Sequence, residues 1–120
     1  MDSILTSIKK LLGITEEYTH FDADLIMHIN STFMILKQLG VGPPNGFRIS
    51  NSSSEWSDFI PIDDKRFESV KSYVYMKVRL LFDPPASSIA MDSMNRLLSE
   101  FEWRLNVEAE SSGEEEIQNG

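Results

Sequence analysis

The side chains best suited to chemistry in this sequence are His20 and His28, which bracket Asp22 and Asp24. Imidazole and carboxylate together can ligate a divalent cation, but zinc sites draw three or four convergent donors and often thiolates, and the chain has no cysteine. The four residues read instead as the polar start of a helix with two partly exposed histidines. A Ser-His-Asp triad could be assembled on paper from so serine-rich a chain. The strained Gly-x-Ser-x-Gly elbow that presents such a nucleophile is absent, as is a Gly-rich phosphate loop. Gly40-Val41-Gly42-Pro43-Pro44 comes nearest to one. It follows a helical pattern rather than a strand, lacks the lysine, and its prolines remove amide donors. It reads as a turn. The expectation is a non-enzyme with no catalytic residue, no metal ligand and no cofactor.

Binding chemistry is better represented. Lys65, Arg66, Lys71, Lys77 and Arg79 form the densest basic cluster, with Tyr73 and Tyr75 interleaved. That combination can contact nucleic acid, but Asp63, Asp64 and Glu68 dilute it, and a net charge of −8 repels a phosphate backbone. The cluster reads as a solvated helix face or a subunit contact. Glu108, Glu110, Glu114, Glu115 and Glu116 lie in a stretch with no Lys or Arg, and without these five acids the net charge falls to −3. The acidity therefore belongs mainly to residues 108–120, which read as a disordered tail. Trp56, Phe59, Trp103, Met91 and Met94 are of the types that fill cores or anchor interfaces.

Stepping along the chain, the apolar spacing is helical. Ile4, Leu5, Ile8, Leu11 and Leu12 recur at three and four residues, with Asp2 or Ser3 to cap the start and Gly13 to end it. Lys9 and Lys10 fall where the helix dipole favours cations. A second helix is predicted from Asp22 to Gly40, with Leu25, Ile26, Ile29, Phe33, Leu36 and Leu39 along one side. Residues 40–54 break helices; within them Phe47-Arg48-Ile49 alternates like a short extended segment, and Ser52 or Ser53 can cap a short helix through Trp56 and Phe59. A third long helix runs from Phe67 to Phe82, with Val70, Val74, Val78 and Leu81 on its main apolar face, and stops at Asp83-Pro84-Pro85. The last begins near Ser87 or Ser88 and carries Ile89, Met94, Leu97, Leu98, Phe101 and Leu105, with Trp103 toward another side. The fold class is all-α: a small bundle of three long helices plus a short N-terminal one, with residues 1–107 as the domain. No apolar run approaches the roughly 20 residues of a membrane span. The first residues lack the features of a secretory signal, so a reducing cytoplasm is expected, and the sequons at Asn30 and Asn51 carry no meaning there.

Three stretches together resemble the small head-to-tail connector (adaptor, or head-completion) proteins of tailed bacteriophages and prophages. They are Ile4 to Ile14, Asp24 to Leu39, and Val70 to Pro85 ahead of the final helix. The resemblance spans Ile4 to Asn106 and rests on the pattern of helices and breaks. It implies a structural virion protein at the head-tail interface, present in the host cytoplasm during assembly. It also implies a ring of about a dozen copies below the portal protein, built through heterologous contacts. Such a ring extends the DNA channel without binding DNA specifically and offers a platform to stopper or tail proteins. Candidate protein-interface residues are Phe47, Ile49, Trp56, Phe59, Tyr73, Tyr75, Arg79 and Trp103. The residues alone also allow a small cytoplasmic helical adaptor or regulatory protein that takes one partner helix into an apolar groove.

Overall fold

A computed structural model describes residues 3–119, with side chains described as far as Glu110. Helix α1, Ile4–Leu11, starts where the Ser3 hydroxyl accepts the Thr6 amide at 3.2 Å, and the chain turns away at Gly13 with a φ of +80°. Ile4, Leu5 and Ile8 are buried. Lys9, expected to lie at the helix end as a dipole complement, is buried too. Its ammonium donates to the Glu16 carbonyl at 2.9 Å and pairs with Asp22 at 2.9 Å, which ties α1 to the start of the next helix.

Helix α2, Asp22–Gln38, buries Leu25, Ile29, Phe33 and Leu36 at helical spacing. Thr32 joins them because its hydroxyl donates to the His28 carbonyl one turn back at 2.9 Å. Gly40, with a φ of +85°, ends the helix as the sequence predicts. The following segment is the expected helix-free connector. Phe47-Arg48-Ile49 forms no strand; the side-chain amide of Asn30 does the work of one, accepting the Ile49 amide at 2.7 Å and donating to the Ile49 carbonyl at 2.9 Å. Gly42 is required where it stands, because a Cβ there would lie 2.3 Å from the Phe59 ring.

Helix α3, Trp56–Phe59, is capped by neither Ser52 nor Ser53: Glu55 occupies the cap, and the Asp58 carboxylate accepts the Glu55 amide at 2.9 Å. Trp56 reaches back to α1, its indole N–H donating to the Ser7 hydroxyl at 2.8 Å. Helix α4, Phe67–Phe82, has the predicted bounds, but its buried face is Val70, Tyr73, Val74 and Val78. Leu81 is 47% exposed, against expectation. Helix α5, Ser88–Asn119, starts after Ser87, whose hydroxyl accepts the Ala90 amide at 3.3 Å. It continues past 107, so the expected tail boundary does not coincide with a helix end. Asn106 reaches the Leu39 carbonyl at 3.5 Å, and Ala109 lies 2.9 Å from where a Cβ of Gly40 would be.

Helix α4 is the middle element, packed on α2 along one flank and α5 along the other, with α1 against α2. The molecule measures 49 × 36 × 21 Å, about two helix diameters thick. Phe33 is the hub of the core, its ring within 4.5 Å of Phe59, 5.2 Å of Phe47 and 6.4 Å of Trp56 between centroids.

Candidate interaction surfaces

The residues that suggested chemistry do not converge. His20 packs edge-on against Phe21, with ring centroids 4.9 Å apart, and Asp22 is engaged by Lys9. Among the described residues, no group of three or more His, Asp or Glu side chains is placed to hold a metal ion. No helix among them is long and apolar enough to cross a membrane.

The basic cluster is likewise divided. Arg66 is held by Asp64, whose carboxylate accepts the Arg66 amide at 2.8 Å and both Nε and Nη2 at 3.1 Å. These bonds to the guanidinium hold the Asp64 carboxyl below the usual carboxylate range, with Lys65 adding to the effect. Lys71 lies over the rings of Phe67 and Trp56, 5.4 and 5.9 Å from their centroids, an arrangement that binds a cation to an aromatic face. Arg79 and Tyr75 come together, half-buried around a shallow hollow beside Leu11, Gly13 and Asp83.

The eight candidate interface residues fall into two groups. Ile49, Trp56, Phe59 and Tyr73 lie in the protomer's own core. Tyr73 has no exposed surface, and its hydroxyl donates to the Glu102 carboxylate at 2.7 Å, joining α4 to α5. Burial, and then this bond to an anion, push its pKa well above the usual phenol value. Phe47, Tyr75 and Arg79 are half-buried, and Trp103 is 67% exposed.

The outer face of α5 carries more apolar surface than the periodicity predicts. Ile89 and Leu97, expected to face the core with Leu98 and Leu105, are 78% and 47% exposed. With Trp103 and Val107 they are large apolar side chains that α5 leaves in solvent, interspersed with Asp92, Arg96, Glu100 and Arg104.

A second surface includes only Phe47 of the candidate interface residues. Beside α2, an open groove of about 670 Å³ runs between Ile26, Met27 and Met34 on the helix and Gly46, Phe47 and Arg48 on the connector. The seven-residue spacing of Met27 and Met34, off the core stripe, is the signal that marks it. Lys37 and Arg48 are the charged residues that line it.

Comparison with curated proteins and with solved structures returns no match. Comparison with protein families does: the family described as phage connector protein matches residues 4–112. A helical chain of this order, with apolar side chains left uncovered on α5, belongs to the phage connector protein family.

Proposed function

We propose that this chain is the head-to-tail connector subunit of a tailed phage, forming a ring of about a dozen copies under the portal. The ring extends the DNA channel and provides the platform on which stopper or tail proteins dock. The observation that carries the reading is the set of large apolar side chains that α5 leaves uncovered, Ile89, Leu97 and Trp103, in a chain of this family. Exposed aromatic and aliphatic side chains of this size are unfavourable in water and are characteristic of contact surfaces. Half-buried Tyr75 and Arg79 suit contacts with portal or tail partners, and half-buried Phe47 lines the groove along α2. Core residues Ile49, Trp56, Phe59 and Tyr73 would serve an interface only by shaping the surface above them. In the same reading, residues 1–107 form the working domain. Of the acidic stretch 108–120, Glu114, Glu115 and Glu116 line the channel side, where repeated negative charge keeps passing DNA from adhering.

Size-exclusion chromatography with light scattering, and negative-stain imaging with and without the portal protein, test this. A ring alone or on the portal is expected. A chain that stays monomeric at high concentration and ignores the portal would remove the ring reading. The groove along α2 would then favour the alternative of a small adaptor that receives one partner helix.

A further inference from the structure

We infer that the groove beside α2 in one copy receives the outer face of α5 from the next copy, with the two helices parallel and Trp103 seated between Met27 and Met34. The inference rests on the ring reading above and names the surfaces that make the ring. One chain carries both halves of the contact. The groove is concave and apolar, and the α5 face is convex, with the indole of Trp103 projecting into solvent. They lie on the two helices that flank α4, so the contact joins two different faces and can be repeated from copy to copy.

Charge sets the direction. On α2, Asp24 stands one turn before Met27 and Lys37 one turn after Met34; both are exposed. On α5, Arg96 stands seven residues before Trp103 and Glu110 seven after, again exposed. Among the described residues none of the four belongs to an ion pair within the protomer, unlike neighbouring Arg104, which pairs with Glu100. Asp24 to Lys37 spans about 20 Å of helix and Arg96 to Glu110 about 21 Å. With Trp103 centred between the methionines, a parallel arrangement therefore sets Arg96 against Asp24 and Glu110 against Lys37. The antiparallel arrangement opposes like charges at both ends, which is unfavourable. Methionine suits the floor of such a groove because its unbranched thioether adapts to an aromatic ring.

The absence of cysteine makes a direct test available. An Asp24→Cys, Arg96→Cys double variant places one thiol on each face at positions the parallel register sets level, with Trp103 and both methionines kept, and a disulfide closes only when the two Cα atoms come within about 7 Å. Mild oxidation of this full-length variant, under conditions where the wild type assembles, should give a ladder of covalent multimers. An equal mixture of the two single variants should stop at dimers, and neither single variant alone should cross-link. Lys37→Glu should abolish assembly, and Glu110→Lys added to it should restore it. Rings that form normally while the double variant yields no ladder would overturn these surfaces and leave the ring reading standing. Dimers from either single variant alone would replace the contact with a symmetric one. A wild type that never assembles, with or without the portal, would remove the ring reading and this inference together.

Discussion

Replacing Tyr73 with phenylalanine removes one oxygen from the centre of the molecule, and the structure predicts both the size and the pH dependence of the result. The Tyr73 ring is fully buried and remains so in the variant, so packing is preserved. What is lost is the 2.7 Å bond from its hydroxyl to Glu102. A hydrogen bond to a charged group contributes about 1.5–3 kcal/mol. Glu102 is only half-buried and regains water when its partner goes, which selects the lower end, about 1.5 kcal/mol, or about 6 °C in Tm for a domain of this size.

The pH dependence follows from the raised phenol pKa. In the unfolded chain Tyr73 titrates near 10.0, whereas the folded protein holds its proton to higher pH. Its contribution is therefore complete below about pH 10 and declines as pH rises further, because the unfolded state then releases a proton that the folded state retains. The loss is about 1.4 kcal/mol per pH unit. Urea unfolding of wild type and Tyr73→Phe between about pH 8 and pH 11 should show a gap of about 1.5 kcal/mol that closes near the upper limit. Taking the difference cancels the titration of every other group. A gap that is absent at the lower pH, or that stays constant across the range, would refute the reasoning.

Phe33→Ala should cost about 3–5 kcal/mol, because the ring is the contact shared by Phe47, Trp56 and Phe59; a urea midpoint within experimental error of wild type would contradict its place as hub. Asn30→Asp keeps the shape but loses the donor to the Ile49 carbonyl, so a loss of about 1–3 kcal/mol is expected, with faster amide exchange around Ile49. Lys9→Met retains the apolar stem and removes the partner of Asp22 and the Glu16 carbonyl; a loss of about 2 kcal/mol is expected at neutral pH, read by thermal unfolding. Truncation after Glu110 keeps Leu105, Asn106 and Ala109 and should change stability by no more than about 0.5 kcal/mol; a larger loss would place residues 111–120 in the folded body.

The helices were legible because their signals are local. Val70, Val74 and Val78 recur at the spacing of one helix face, Gly13 and Gly40 stand where the chain must take a positive φ, and Pro84 and Pro85 stop α4. The family was legible for the same reason, since order of helices and breaks is itself a sequence pattern. The interaction surfaces were only partly so. Trp103 stood apart from the α5 core stripe in the periodicity and is exposed, but Ile89 and Leu97 share the spacing of Leu98 and Leu105, and only the position of α4 leaves them in solvent. Met27 and Met34 became a groove only once the connector folded back, held by Asn30 to the Ile49 backbone. Lys9 looked like a surface cation until the loop carrying Glu16 and the first residue of α2, Asp22, closed over it. Periodicity states which residues share a face of one helix. Which faces are covered depends on contacts between residues far apart in the chain, and those the fold alone decides.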